Sequence, residues 1–224
     1  LRWHAAFAEL PAAARACRHA LSGAVERRQC ARSFACGECP DHAALAARTG
    51  RWGLTHRPVA GIDVAADCLY NRGHAWARPE PDGSWSIGLD ELAGRVIGTP
   101  DEILLPAPGT RLTVSGVAWR VRCGHDEIAV LSPIAGEVVA TGAREAGWYL
   151  RVRPAPGGPD TRHLLRGDEA RAWNAVEVQR VLLAMRDPVL GASLAGGGRL
   201  APDLPAAAPG VDWQALRGQV LLNP

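Results

Sequence analysis

The sequence predicts an α+β protein in which a β domain is flanked by a cysteine-rich helical module and a helical tail. Three observations support this fold class. In the middle of the chain, short apolar runs alternate with turn residues, as in small barrels and sandwiches. Before this region lie alanine-rich stretches and four clustered cysteines, and after it apolar residues recur at helical spacing. The predicted segments are a module at 1–57, a β domain at 62–153 and a tail at 160–224.

The N-terminal module is predicted to contain two short helical stretches separated by an irregular loop. The alanine-rich residues 1–22 favour a helix that is interrupted at Pro11, since proline removes a backbone donor. Residues 23–40 carry most of the clustered cysteines and are predicted to be irregular. Asp41 is a typical N-cap residue, so we expect it to cap a short helix over 42–48.

The β domain is predicted from turn residues that separate short strands. A Pro/Gly turn at 79–83 follows the run Trp76 to Arg78 and precedes the alternating run Trp85 to Leu89. Residues 90–97 predict a short capped helix. The remaining strand-like runs lie at 103–105, 112–114, 117–121, 128–131, 136–139 and 148–152.

The tail is predicted to be helical at two places. A Pro/Gly-rich linker at 154–162 precedes a helix from about residue 168 to 185. Residues 187–210 are rich in Gly, Pro and Ala and predict a long loop. Asp212 is expected to cap a last short helix over 213–216.

Composition excludes several classes of function. The 224 residues include 25 basic and 23 acidic side chains, so the net charge of +2 argues against a nucleic-acid or membrane-surface binder. No run approaches the ~18 apolar residues of a membrane span. Residues 1–25 lack the apolar core of a signal peptide, and we therefore expect a cytoplasmic protein.

All 25 basic residues are arginine, and the sequence contains no lysine. Every chemistry that needs an ε-amine is therefore excluded, including Schiff-base formation, a Walker-A phosphate site and attachment of lipoate or biotin to lysine. The sequence also has no Gly-x-Ser-x-Gly, His-Glu-x-x-His or dinucleotide motif. Asp90 and Glu91 are interpreted as a helix start and Asp101 and Glu102 as solvated carboxylates, so we expect no enzyme.

Four cysteines in the N-terminal module have spacing that suits a metal site. The last two form a Cys-x2-Cys turn, in which two thiolates can converge on one ion. Zinc is the expected metal, while an iron–sulfur cluster and unliganded or redox-paired thiols stay open. His19 and His42 are alternative ligands. The predicted metal ligands are Cys17, Cys30, Cys36 and Cys39.

Several segments of the β domain match motifs of one known family. They are His74-Ala75-Trp76, Gly88 to Ala93, Leu105-Pro106 with Gly109-Thr110, Leu131 to Val139, and Gly147 to Leu150. With these residues, the stretch of about 70–153 resembles the H protein of the glycine cleavage system. The resemblance implies a barrel-sandwich hybrid, which in that family carries a lipoyl group on a lysine at an exposed hairpin.

The sequence departs from the family at that lysine. Alignment on the flanking motifs places Arg122-Cys123-Gly124-His125 where the family has Glu-Ser-Val-Lys, so His125 occupies the lipoyl-lysine position in degenerate form. We therefore expect no covalent lipoate. A polar turn without function is the favoured interpretation, while a reactive Cys123 thiol and a metal role for His125 stay open. The segment 142–146 is also shorter than its counterpart in the family.

These observations predict a non-lipoylated H-protein-like scaffold or adaptor with a structural metal site. Its partner would be another protein, which the sequence does not identify, rather than nucleic acid or membrane. One alternative is a thiol or iron–sulfur redox or electron-transfer protein that uses the N-terminal cysteines. Another is a glycine cleavage carrier whose function is retained in a non-standard form.

Overall fold

A computed structural model describes the chain at 7–10, 12–21, 25–49, 61–185 and 200–222. The predicted interruption at Pro11, the beginning of the 1–22 helix and most of the predicted 187–210 loop lie outside these residues. In the described part, the helices in chain order are α1 (Arg18–Leu21), α2 (Pro40–Thr49), α3 (Glu91–Ile97), α4 (Gly167–Met185), α5 (Leu204–Ala207) and α6 (Trp213–Val220). Short 3-10 turns lie at Ala12–Arg15, Cys36–Glu38 and Arg144–Ala146. None of these helices is long and apolar enough to cross a bilayer.

The strands form two antiparallel sheets. In chain order they are β1 (Leu69–Tyr70), β2 (Ala75–Pro79), β3 (Trp85–Leu89), β4 (Glu102–Leu104), β5 (Arg111–Leu112), β6 (Val117–Cys123), β7 (Asp126–Leu131), β8 (Gly136–Ala143) and β9 (Trp148–Arg153). The larger sheet has the order β1-β2-β3-β9-β8-β5, and the smaller sheet has the order β4-β6-β7. The predicted strands of the β domain are all present, with ends that differ by a few residues.

The two sheets share one apolar core. Strand residues from the larger sheet, such as Ile87 and Leu150, and from the smaller sheet, such as Val121 and Ile128, belong to the same buried cluster. Neither sheet could bury its apolar face alone, so each covers the other. The structure is thus α+β, with a β domain built from two curled antiparallel sheets.

Two helix predictions need correction. Helix α2 begins at Pro40 and not at residue 42, because proline fits the first helical position, where its missing N–H costs nothing. Asp41 therefore lies inside the first turn. Helix α5 lies within the predicted 187–210 loop, where the Asp203 carboxylate accepts a hydrogen bond from the Ala206 N–H. Helix α6 continues to Val220, beyond the predicted end at Leu216.

The tail packs into the same core as the sheets. Leu165 forms an isolated antiparallel bridge with Tyr70 at the edge of β1. Val178 of α4, Leu204 of α5 and Leu216 of α6 all belong to the main buried cluster. The tail therefore completes the hydrophobic core of the β domain.

Candidate functional site

The hairpin that carries the lipoyl-lysine position is intact and ends in a tight turn. Strands β6 and β7 pair from Val117 to Leu131, and Cys123 lies opposite Asp126 at the tip. Only two residues connect them, with Gly124 at a φ of 63° and His125 at a negative φ. This is the pattern of a type II′ turn, which favours glycine at its first central position. The turn presents His125 as an exposed side chain at the end of the hairpin.

The residues next to His125 are held by the body of the protein. The Cys123 thiol is half-buried and donates to the backbone oxygen of Ile97 over 3.8 Å. Burial raises the pKa of this thiol, so it is protonated at neutral pH and a poor nucleophile. In the described residues no printed contact joins Cys123 to His125. The arrangement is that of a polar turn, and the raised pKa argues against the reactive-thiol interpretation.

An arginine of the tail fastens the base of this hairpin, and the sequence analysis did not identify it. Arg217 of α6 is buried and donates to the backbone oxygens of Val96 and Ile97 at 3.3 and 3.0 Å. Its guanidinium also lies 3.5 Å from the carboxylate of Asp126. The end of α3, the start of β7 and the tail are therefore tied together beneath the exposed tip. No local sequence pattern separates Arg217 from the many exposed arginines.

The structure also brings the four predicted metal ligands to one cavity. Cys17, Cys30, Cys36 and Cys39 all line a cavity of about 50 Å³. Its wall also contains His19, His42 and Asp41. In their described conformations, no three His, Cys, Asp or Glu side chains are grouped closely enough to hold a metal ion. The sequence spacing thus predicted the convergence of the cysteines, whereas metal binding stays a prediction.

Local backbone structure positions the cysteines in two pairs. Ala16 and Gln29 form an isolated antiparallel bridge, and alternation about it places Cys17 and Cys30 on the same face. The second pair is held by the 3-10 turn Cys36–Glu38, after which the Cys39 N–H donates to the Cys36 oxygen at 3.1 Å.

Charged groups surround this cavity. Arg28 pairs with Asp41 at 2.6 Å, and Arg18 pairs with Glu169 of α4 at 3.1 Å. Burial raises the pKa of the Cys36 thiol, and the nearby Arg18 offsets this only in part. A low-pKa redox cysteine would show the opposite shift.

The two histidines of the wall contact each other. Nε2 of His19 lies 2.9 Å from Nδ1 of His42. Burial and the proximity of His42 lower the pKa of His19, so the pair is favoured in a neutral form that shares one hydrogen bond. Each imidazole therefore has one ring nitrogen engaged by the other.

A second cluster of titratable residues lies inside the protein, where the sequence analysis saw only a family motif. His74 is completely buried, and its Nδ1 lies 2.7 Å from an oxygen of the Asp90 carboxylate. Its Nε2 faces Glu177 of α4 at 3.7 Å, which is an ion-pair distance and too long for a hydrogen bond. Asp90 also caps α3 by accepting from the Ala93 N–H, which confirms the predicted helix start. The cluster links the β domain, α3 and the tail.

We expect the charge on His74 to make stability fall at alkaline pH. Burial alone would lower the pKa of His74, but the carboxylates of Asp90 and Glu177 outweigh it and raise the value to about 9. Because the unfolded value is near 6.5, the stabilisation is fully present below pH 6.5 and is lost as the pH rises through about 9. An NMR titration should show an imidazole that stays protonated above pH 8.

The same effect can be measured by urea denaturation between pH 6 and 10. The variant His74→Gln should remove most of the alkaline loss in the free energy of unfolding, whereas the exposed His125→Gln should not. An unchanged pH dependence in His74→Gln would show that His74 is neutral in the folded protein.

Comparison with known proteins places the chain beside one group. No protein-family model matches the sequence. The glycine cleavage system H protein of Shewanella frigidimarina is 32% identical over 108 residues, which are 41% of this chain and 81% of the relative. The H protein of Neisseria gonorrhoeae is 33% identical over 109 residues, which are 42% of this chain and 80% of the relative. The crystal structure of a glycine cleavage system H protein from Mycobacterium marinum is 21% identical, with a TM-score of 0.42 over 50% of this chain and 98% of that one.

Proposed function

Because the chain belongs to the glycine cleavage system H protein family, we propose that it is a non-lipoylated scaffold or adaptor of that family. It would keep the shape of the carrier domain and dock a protein partner, without carrying a group itself. The observation that carries this proposal is His125, which replaces the lipoyl-lysine at the exposed tip of the β6–β7 hairpin in a sequence without lysine.

The construction of the hairpin supports the proposal. Gly124 has a positive φ, and the family motif has valine at the matching position. A β-branched residue is strained at positive φ, so the tip differs from the carrier motif in its turn as well as in its lysine. The core of the hairpin is nevertheless preserved, since Val121 and Ile128 remain in the main cluster. Preserved packing with an altered tip is what a scaffold requires.

The proposal predicts competition with a true carrier. In a reconstituted glycine cleavage reaction, the purified full chain should support no turnover on its own. Added in excess to a lipoylated H protein, it should lower the rate, and more H protein should relieve this inhibition. Turnover by the chain alone would mean that carrier function is retained in a non-standard form. Absence of inhibition at high excess would contradict a shared docking surface.

A second measurement tests the missing lysine directly. After co-expression with a lipoyl ligase, the intact mass of the wild-type chain should show no lipoyl adduct. The triple variant Arg122→Glu, Cys123→Ser, His125→Lys keeps Gly124 and its turn, and it should gain one adduct. A matched variant, Arg111→Lys on the exposed edge strand β5, should gain none, because a lysine outside the hairpin tip is not a substrate. An adduct on the wild-type chain would overturn the proposal.

A further inference from the structure

We propose that Cys17, Cys30, Cys36 and Cys39 bind one Zn²⁺ through four thiolates at the cavity they share, and that this ion fastens the N-terminal module to the β domain. The inference is independent of the scaffold proposal, since it concerns a different part of the chain. It rests on the backbone frames, on the other groups in the cavity and on the charge around it.

The backbone already presents two cysteine pairs of the kind that zinc sites use. The turn from Cys36 to Cys39 closes with a backbone hydrogen bond, so both side chains leave a single tight turn. Cys17 and Cys30 are fixed by hydrogen bonds on either side of the Ala16–Gln29 bridge, at 2.7 and 2.9 Å. The Phe34 N–H donates to Cys30 Sγ at 3.3 Å, and such a bond favours a thiolate.

Ligation requires movement of side chains and not of these frames. Zinc thiolate bonds are about 2.3 Å long, and no three of the described donors are yet grouped for binding. A cysteine side chain has one torsion to its sulfur, and rotation between staggered wells re-aims each thiol without moving the backbone. A cavity of about 50 Å³ leaves room for this rotation and for one ion.

The other donors in the cavity are engaged elsewhere. Asp41 is paired with Arg28, and His19 and His42 are hydrogen-bonded to each other. The four sulfurs are therefore assigned as the ligands, and the imidazoles as wall residues. Four thiolates around Zn²⁺ carry a net charge of −2, and Arg18, Arg28 and Arg32 on the same wall would balance it.

The module also needs such a site for its stability. Among described residues of 25–49, only Ser33 and Phe34 are buried. So small an apolar core rarely suffices to hold an irregular segment in one conformation, and a metal is a common substitute for it.

Metal content and Co²⁺ substitution test the site on the full chain. Protein purified under reducing conditions should contain about one zinc per chain by elemental analysis. The Co²⁺ derivative should show the visible bands of a tetrahedral site together with intense thiolate-to-metal charge transfer. Cys36→Ser should lower zinc affinity by more than about tenfold. The matched controls Cys68→Ser and Cys123→Ser, which lie outside the cavity, should leave zinc content and spectrum unchanged.

Each other outcome overturns the assignment. Iron with acid-labile sulfide would indicate a cluster and support the electron-transfer alternative. A mass lower by two or four hydrogens in the native chain would indicate disulfides. Zinc that survives Cys36→Ser but is lost in His42→Ala would mean that the imidazoles and not the four thiols hold it. None of these results depends on docking, so they are distinguishable from failure of the scaffold proposal.

Discussion

Replacing Trp173 with alanine is expected to lower the free energy of unfolding by about 3–5 kcal/mol, the range for removing a large buried aromatic side chain. Trp173 lies on α4 and is only 1% exposed. It packs in a cluster with Tyr70, Trp76 and Leu165, and its ring lies 4.5 Å from that of His74. The variant would leave a cavity between the tail and the larger sheet. Urea denaturation followed by circular dichroism measures the change.

The same helix offers a matched control. Val176 is 45% exposed, and Val176→Ala should change the free energy of unfolding by no more than about 0.5 kcal/mol. Equal effects of the two substitutions would mean that α4 does not pack on the β domain as described. A Trp173→Ala protein with unaltered stability would lead to the same conclusion.

Elements that depend on neighbouring residues could be predicted from the sequence. The hairpin of β2 and β3 follows from its Pro/Gly turn and from alternation in Trp85–Leu89. Helix α3 follows from Asp90, whose carboxylate satisfies a backbone donor within the same turn. In both cases the stabilising contacts lie within a few residues, so the pattern is visible locally.

Features that depend on distant residues could not be predicted. Helix α5 is only four residues long, in a segment whose composition favours a loop, and Asp203 caps it while also accepting from Thr99, 104 residues away. The burial of His74 depends on Glu177 of the tail, which nothing in the local sequence indicates. Such pairings are set by tertiary packing, which overrides local propensity.

The candidate sites divide in the same way. The spacing of the cysteines predicted their convergence, because a Cys-x2-Cys turn brings its own two thiols together. The pairing of Cys17 with Cys30 depends instead on the Ala16–Gln29 bridge, which no local pattern reveals. At the hairpin, the motifs flanking His125 located the tip, and Gly124 then determined the turn.

A buried arginine joins the N-terminal module to the rest of the protein. Arg72 is 6% exposed, and its guanidinium donates to the backbone oxygens of His163 and Ala16 at 2.9 and 3.2 Å. It also lies over the Phe34 ring, 4.4 Å from the ring centroid. Burial lowers the pKa of Arg72 to about 10, so the group stays charged at neutral pH. One side chain thus contacts the module, the loop before α4 and an aromatic ring.

Replacing Arg72 with alanine is expected to lower the free energy of unfolding by about 3 kcal/mol, because two charge-assisted hydrogen bonds and the ring contact are lost together. It should also free the module before the core unfolds, so that chymotrypsin cleaves after Phe34, which is 2% exposed in the wild type. Arg78→Ala is the control, since Arg78 lies over the Trp76 ring at 5.6 Å with its side chain 38% exposed, and should cost less than about 1 kcal/mol. If Arg72→Ala leaves the Phe34 site as protected as Arg78→Ala does, the module is held by other contacts.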